Sequence, residues 1–206
     1  MAGLREQQKQ ARRDGIFRSA AALFAQRGYA ATTVEDIAAA AGVSVPTLYA
    51  YVQSKADLVV ALYAQDRALI DADKQAIIND PGDDAGSAIL RLLILEMKNG
   101  QDFLGHDIWR EIVATSIRRT GDFQEGLDRL NARVFDEPLE RLLRVLQRRG
   151  QIAPDTDIPG AVALFSDLVM AVFHQELTHD RPWEWVEDRI ARHVRVAVAG
   201  LTDGTR

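Results

Sequence analysis

The spacing of apolar positions along this chain is helical, and we find no segment with the strict alternation of a half-buried strand. Apolar side chains three and four residues apart, from Ile16 to Ala25, predict a first helix over residues 5–27 that ends at Gly28. A fourth helix is predicted over residues 55–79. Loop signals separate the later helices, which are predicted over residues 84–98, 106–119, 123–149 (kinked or split at Pro138), 157–179 and 182–201.

Between the first and fourth helices the pattern predicts two very short helices. Thr33 is a suitable N-cap with Asp36 three residues later, and the helix that follows ends at Gly42. Ser44 caps the next helix, in which Leu48 points inward. Two short helices joined by a glycine turn are typical of the helix-turn-helix, which places its second helix in the major groove of DNA. The alternative is an ordinary packed helix pair.

The outward face of the second short helix has an unusual composition. It contains no Arg, Asn or Gln for bidentate contact with a purine, so its apolar members are suited only to thymine methyl groups. Hydroxyl groups and one ammonium group nearby are suited to phosphate oxygens. The candidate DNA-facing residues at this stage are Ser44, Val45, Pro46, Thr47, Tyr49, Ala50, Tyr51 and Lys55.

The distribution of charge along the chain bears on the predicted DNA binding. The 206-residue chain has a formal net charge of -5, which by itself argues against a nucleic-acid partner. Residues 1–60, however, carry seven Lys or Arg and five Asp or Glu, so this part has a charge of +2 and the remainder -7. The predicted DNA-binding part is therefore the basic part of an acidic protein.

Composition also limits the class of protein. With 47% hydrophobic and 27% charged residues the chain is typical of a globular protein, and the lack of cysteine excludes disulfides and thiolate metal sites. The basic first residues lack the apolar region of a signal peptide, and no run of about 18 apolar residues follows. We therefore expect a cytoplasmic protein without a membrane partner.

Residues Ala20 to Leu62, AAALFAQRGYAATTVEDIAAAAGVSVPTLYAYVQSKADLVVAL, resemble the tetracycline-repressor (TetR) family of transcriptional regulators. The elements ALF-x-x-x-GY, T-x-x-x-IA-x-x-AGVS, TLY and SK-x-x-L occur in the order and spacing of that family. Two positions depart from it, since Pro46 stands where many members have glycine and Tyr51-Val52 replaces a common His-Phe pair. These departures concern the operator sequence rather than DNA binding.

The resemblance implies an all-α fold of about nine helices. A three-helix DNA-binding domain over residues 1–54 would precede a larger helical domain over residues 55–206 for ligand binding and dimerisation. It further implies a homodimer formed by the last two helices, a palindromic double-stranded DNA operator and a small-molecule effector, with no cofactor. Carried over by residue, it implies DNA contacts from Thr33, Ser44, Thr47, Tyr49, Tyr51 and Lys55, with Val45 and Pro46 facing the bases.

The C-terminal region is interpreted from its own residues. The helix predicted over residues 157–179 is apolar nearly all round and must be covered on two sides, of which one can be the protein core and the other a partner subunit; the alternative is the core of a monomer. The predicted dimer interface consists of Val162, Val169, Val186, Ile190, Val194 and Ala197. The predicted ligand-binding residues are Met97, Phe103, His106, Trp109, Phe135, Phe165, Met170, Phe173 and His174, although each of them is also suited to plain core.

Two other classes of function compete with DNA binding, an enzyme and a helical ligand-binding or adaptor protein. In HQELTH the histidines His174 and His179 are five residues apart, not the four that would place two zinc ligands on one helix face. Glycine-rich phosphate loops and G-x-S-x-G motifs are also lacking, so an enzyme is not predicted. The remaining alternative is a helical ligand-binding or adaptor protein that does not bind DNA.

Overall fold

The computed structural model describes residues 2–118 and 135–202 of the chain, and within these ranges the fold is all-helical. The nine helices of the described ranges are α1 (Ala2–Ala31), α2 (Val34–Ala40), α3 (Val45–Tyr49), α4 (Lys55–Leu69), α5 (Asp71–Asn79), α6 (Ala85–Arg118), α7 (Glu137–Arg148), α8 (Ile158–His179) and α9 (Trp183–Thr202). The all-α prediction is therefore confirmed.

The chain divides into two compact units. The head unit comprises residues 1–65 and 103–127, and the body unit comprises residues 66–102 and 128–206. The chain passes from one unit to the other inside α4 and again inside α6. The functional boundary predicted after residue 54 stays a prediction.

The head unit is built on α1, which packs on α2, while α2 packs on α3. Gly28 interrupts α1 with a positive φ of 78°, a conformation that glycine adopts at no steric cost. The helix end predicted at Gly28 is thus the position where α1 is interrupted, and one more helical turn continues to Ala31. Buried apolar residues of this unit are Ile16, Phe17, Ala20, Leu23, Phe24, Ile37, Ala38, Leu48, Val52, Leu58, Val59, Leu62, Ile108 and Trp109.

The body unit has one continuous apolar core. Helix α7 packs on both α5 and α8, and α8 packs on α9. The core is formed by leucines of α6 and α7 together with Phe165 of α8 and Ile190 of α9. Within it lies a buried ion pair, in which Lys74 Nζ is 2.8 Å from Glu96 Oε1. Both side chains are almost fully buried, and Lys74 Nζ also lies 3.3 Å from the exposed Asp71 Oδ1, so the buried ammonium has two carboxylate partners.

Three predicted helix boundaries differ from the structure. The break expected at Asn99-Gly100 was wrong, because α6 continues through it and a helix tolerates one interior glycine at a cost of about 1 kcal/mol. The single helix expected over residues 55–79 is interrupted at Ile70, where the backbone leaves helical values without any proline or glycine. Pro138, where a kink or split was predicted, lies in the first turn of α7, where its missing amide hydrogen costs no helical hydrogen bond; residues 123–134 of that predicted helix lie outside the described residues.

Helix α8 alone among the described helices is long and apolar enough to cross a membrane by length and composition. This is weak evidence, since a core helix of a globular protein meets the same criterion. One face of α8 is buried against α7 and α9, at residues such as Phe165 and Val172. On the opposite face Leu164 and Met170 are about half exposed. We interpret α8 as a core helix that also presents an apolar outer face.

Candidate nucleic-acid interface

The turn between α2 and α3 is closed by backbone hydrogen bonds. The Val43 amide donates to the Ala38 carbonyl at 3.0 Å, and the Gly42 amide donates to the Ala39 carbonyl at 3.1 Å. Gly42 has a φ of 65°, which explains why glycine stands at this turn. Two short helices joined by such a turn form the predicted helix-turn-helix.

Helix α3 is held by its cap and by a single inward anchor. The Ser44 hydroxyl accepts a hydrogen bond from the Thr47 amide at 3.3 Å and lies 2.7 Å from the Thr47 hydroxyl. Pro46 occupies the first turn of the helix, and Leu48 is completely buried. The helix has only five residues, so this anchor determines which of its side chains face solvent.

The predicted DNA-facing side of α3 is the accessible side. Pro46, Tyr49 and Ala50 are exposed, and 48% of Tyr49 is accessible to solvent. Val45 and Thr47 flank them and are partly buried. The face thus combines apolar surface with the phenol of Tyr49, which agrees with contacts to thymine methyl groups and phosphates rather than bidentate purine contacts.

Thr33 forms a complete capping box at the start of α2. The Thr33 hydroxyl accepts a hydrogen bond from the Asp36 amide at 3.0 Å and donates one to Asp36 Oδ2 at 2.7 Å. The Thr33 amide donates a hydrogen bond to the same Oδ2 at 3.0 Å. These hydrogen bonds, first from the Thr33 side chain and then from its amide, lower the pKa of Asp36 below its usual value, and Arg27 assists. Thr33 is therefore a capping residue here, and its contact with DNA stays a prediction.

Lys55, at the start of α4, makes contacts that the sequence did not indicate. Its ammonium group donates to the carbonyl oxygens of Tyr29 at 2.7 Å and of Thr32 at 2.9 Å. It also lies 4.0 Å from the centre of the Tyr29 ring, a cation–π distance. Lys55 thus links the start of α4 to the end of α1. Contact between Lys55 and a DNA phosphate stays a prediction.

Tyr29 and Thr32 belong to the site although they were not among the predicted residues. The Thr32 hydroxyl donates to the Gly28 carbonyl at 2.8 Å, and the residue is almost completely buried. The Tyr29 ring packs on Phe24 with ring centroids 5.4 Å apart. The Gly28-Tyr29 pair, which follows the first helix, is the signal from which their position could have been found.

The predicted ligand-binding residues are not gathered at one cavity. Met97 and Phe165 are buried in the body core, and Phe135 and Phe173 pack against it. Trp109 lies in the head unit, edge to face with Tyr63 at 4.9 Å. Met170 and His174 are exposed on α8 and line no interior site in the described chain, while the side chains of Phe103 and His106 lie outside the described residues.

Two spaces in the body unit bear on these predictions. An open groove of about 560 Å³ lies between α5 and α6 and contains none of the predicted residues; it is lined by Asp73, Ala76, Ile77, Arg91, Ile94, Leu95 and Lys98. The space beside Phe165 has no room for a water molecule. Phe165 is therefore plain core in this conformation, the alternative that the sequence had left open.

The residues predicted for the dimer interface are mostly core residues. Val186, Ile190 and Val194 of α9 are at most 3% exposed, and Val162 and Val169 of α8 are also buried. Ala197 is partly buried against the same core. The apolar side chains left outside on these helices are Leu164, Met170 and Val196, which is 76% exposed. The dimer interface itself stays a prediction.

Comparison with protein families gives a match over the helix-turn-helix. Residues 16–62 match the family model described as bacterial regulatory proteins, tetR family. This segment includes most of α1, all of α2 and α3, and the first half of α4. Comparison with curated proteins gave no significant match.

Solved structures of similar fold span nearly the whole chain. FadR from Thermus thermophilus, a TetR-family repressor in complex with lauroyl-CoA, is 17% identical with a TM-score of 0.76, and the match covers 94% of this chain and 97% of that one. FadR from Bacillus subtilis, in complex with stearoyl-CoA, is 16% identical with a TM-score of 0.69 and coverages of 90% and 97%. SmeT, repressor of the Stenotrophomonas maltophilia multidrug efflux pump SmeDEF, is 21% identical with a TM-score of 0.63 and coverages of 93% and 91%.

Proposed function

We propose that this chain, whose residues 16–62 match the tetR family of bacterial regulatory proteins, is a ligand-responsive repressor of transcription. In this proposal a homodimer binds a palindromic DNA operator and is released from it by a small, largely apolar molecule. The observation that carries the proposal is the geometry of α3, a five-residue helix with Leu48 fully buried and Pro46, Tyr49 and Ala50 exposed.

The exposed side of α3 enters the major groove. Val45 and Pro46 meet base edges as apolar contacts, while the hydroxyl groups of Ser44, Thr47 and Tyr49 bind phosphate oxygens. Tyr51 is partly buried beside them and adds a further hydroxyl. Recognition of this kind depends on the shape and methyl pattern of the groove more than on bidentate purine contacts.

The dimer brings two such helices to one operator. Its proposed interface is the exposed side of α8 and α9, with Leu164, Met170 and Val196, since exposed large apolar side chains are typical of a protein contact. Dimeric helix-turn-helix proteins bind half-sites about 34–36 Å apart, one turn of the duplex. A palindromic operator follows from that two-fold symmetry.

The effector binds among the helices of the body unit. Two structures with this fold contain acyl-CoA molecules, lauroyl-CoA and stearoyl-CoA, and an acyl chain is an apolar ligand suited to a leucine-rich helical body. Acyl-CoA thioesters are therefore the first effector class to test. A ligand that prefers the released conformation by about 3 kcal/mol weakens operator binding more than 100-fold.

The experiment has two stages. Binding sites are first selected from random duplex DNA with the full-length protein, and we expect a palindrome whose half-sites are one helical turn apart. Lauroyl-CoA and stearoyl-CoA are then titrated with and without that duplex, using free CoA as the control. Linkage requires that operator DNA weaken effector binding by the same factor by which the effector weakens DNA binding.

Two results would contradict the proposal in different ways. Failure to enrich any sequence, with random duplexes bound no better than by an unrelated acidic protein, would favour the adaptor alternative. Equal acyl-CoA affinity with and without operator would remove these molecules from the role of effector and leave the DNA-binding part of the proposal in place.

A further inference from the structure

The first turns of α1 extend beyond the part of the chain that matches the family model. Helix α1 begins at Ala2, whereas the match begins at residue 16. Residues 6–13 are exposed to solvent. This exposed segment carries three cations with described side chains, Lys9, Arg12 and Arg13, and we call these three residues the basic stripe.

The basic stripe occupies one face of the helix. At about 100° per residue, Lys9, Arg12 and Arg13 fall within an arc of about 100°. Asp14 lies on the opposite side of the helix, where it accepts a hydrogen bond from the Gln10 side chain at 2.9 Å. Glu6 falls at the edge of the arc. The segment therefore has a cationic face rather than evenly mixed charges, which are the usual pattern of a solvated helix.

The face that carries the stripe is the inward face of α1. The only non-helical backbone inside α1 is at Gly28, so the phase of the helix is continuous from the stripe into the packed part. Ile16, Ala20 and Leu23, all buried, fall within the same arc as the three cations. Since α1 packs on α2, the stripe projects on the side of α1 where the helix-turn-helix lies.

One contact joins the stripe to the packed part of α1. The Arg13 guanidinium lies 5.1 Å from the centre of the Phe17 ring, and Phe17 is buried. The cation–π contact holds Arg13 close to the head core. Lys9 lies one turn further out, Arg12 directly precedes Arg13, and both are exposed.

We propose that the basic stripe binds phosphates of duplex DNA that flank the segment contacted by α3, and so lengthens the DNA footprint of each subunit. The inference rests on the proposed function, because it requires that α3 dock on DNA. Duplex DNA is the partner that fits, since the stripe shares a compact unit with α3 and regularly spaced phosphates suit a row of cations. The rest of the chain has a charge of -7 over residues 61–206, so its net charge does not favour a polyanion.

A matched pair of substitutions tests this proposal. Arg12→Gln and Arg18→Gln each remove one positive charge from an exposed position of α1, but Arg18 lies on the side opposite the stripe, where its Nε donates to the Asp14 carbonyl. Glutamine has a helix propensity close to that of arginine. Operator affinity is measured against salt concentration for both variants and for the double variant Lys9→Gln/Arg12→Gln.

The expected result is a smaller dependence on salt for the stripe variants. Each lost phosphate contact lowers the slope of log K against log salt by about 0.9. Arg12→Gln should lower it by about 1 per subunit and the double variant by about 2, with at least about tenfold weaker binding at low salt. Arg18→Gln should change the slope little. Circular dichroism should show the same helix content in all variants.

Duplex length provides a second measurement. The wild type should bind an operator extended by about six base pairs on each side more tightly than the minimal palindrome, and the double variant should not distinguish the two duplexes. Equal slopes for Arg12→Gln and Arg18→Gln, or no gain from the longer duplex with the wild type, would overturn the proposal. Failure of the wild type to bind any selected duplex would instead overturn the proposed function, and this inference with it.

Discussion

The helix-turn-helix of the head unit and the α8–α9 pair of the body unit are specified in different ways. In the head, α2 and α3 start at Thr33 and Ser44, each of which accepts a hydrogen bond from an amide three residues later. In the body, α8 and α9 are long helices with apolar residues on more than one side. The short helices of the head are defined by hydrogen bonds between residues close in sequence. The core face of α8 and α9 is defined by tertiary packing.

Two valines of α9 illustrate the difference. Val194 is 3% exposed and belongs to the body core, while Val196 is 76% exposed. They are the same residue two positions apart in one helix. Sequence spacing shows that the helix has apolar positions on both sides, but only packing shows which of them belong to the protomer itself.

The largest expected effect separates these two valines. Val194→Asp places an unpaired carboxylate in the core and should destabilise the body unit by at least about 4 kcal/mol. Val196→Asp should leave the stability of the protomer within about 0.5 kcal/mol of the wild type, because the residue is exposed. Thermal unfolding followed by circular dichroism measures both.

The same pair tests the proposed dimer. In sedimentation velocity at micromolar concentration, Val196→Asp should give a folded monomer while the wild type sediments as a dimer. A fully dimeric Val196→Asp with unchanged dissociation constant would show that this face of α9 is not the interface. A Val194→Asp variant as stable as the wild type would contradict the core assignment.

The next largest effect concerns the bridge between α4 and α1. Lys55→Ala removes two charge-assisted hydrogen bonds to backbone carbonyl oxygens, which should cost about 2 kcal/mol of head stability and weaken binding to all DNA sequences alike. The salt dependence of DNA binding decides what Lys55 does. If it acts by positioning, affinity falls and the slope against log salt stays the same.

A direct phosphate contact predicts a different slope. In that case the slope for Lys55→Ala should fall by about 1 per half-site in addition to the loss of affinity. Lys55→Arg is the control that keeps the charge but changes the fit to the two carbonyl oxygens. Unchanged melting temperature and unchanged affinity for Lys55→Ala would contradict both roles.

A smaller effect is expected at the capping box of α2. Thr33→Ala should destabilise the head by about 1 kcal/mol, the usual cost of losing an N-cap side chain. The pKa of Asp36 is lowered in the folded state, so its contribution to stability is present above its unfolded pKa and is lost as pH falls through the folded value.

The pH dependence tests this box directly. Asp36→Asn should reduce the loss of head stability on acidification below about pH 4, because the variant has no carboxylate to protonate at this position. Denaturant unfolding at several pH values, followed by a probe in the head, measures it. Parallel pH profiles for the wild type and Asp36→Asn would show that the box does not contribute.

The smallest expected effect is at Tyr49. Tyr49→Phe keeps the ring and removes the hydroxyl, so operator affinity should fall by about two- to tenfold, the range of one net hydrogen bond. The melting temperature should not change, because the side chain is 48% exposed. An unchanged dissociation constant would leave Tyr49 in contact with DNA through its ring alone or not at all.

The success of the sequence predictions depends on whether an element is set by local interactions, also within the body unit. The cap at Asp157 and the helix that follows it were predicted within one residue, because Asp157 accepts a hydrogen bond from the Gly160 amide, a local interaction. The break expected at Gly100 failed because α6 continues through it, since one interior glycine costs a helix only about 1 kcal/mol. The break at Ile70 has no proline or glycine, and its local signal is the pair of acidic residues, Asp71 and Asp73, in the first turn of α5.

The sequence by itself determined the helical class, the order of most helices, the helix-turn-helix and the inward position of Leu48. These depend on the periodicity of apolar residues and on side chains that hydrogen-bond within three or four residues, and both can be recognised in the sequence. The tertiary structure alone decided the burial of Lys74 with Glu96, the bridge from Lys55 to the end of α1, and which apolar face of α8 and α9 is core. Each of these joins residues distant in sequence, so only the packing of the helices against one another selects it.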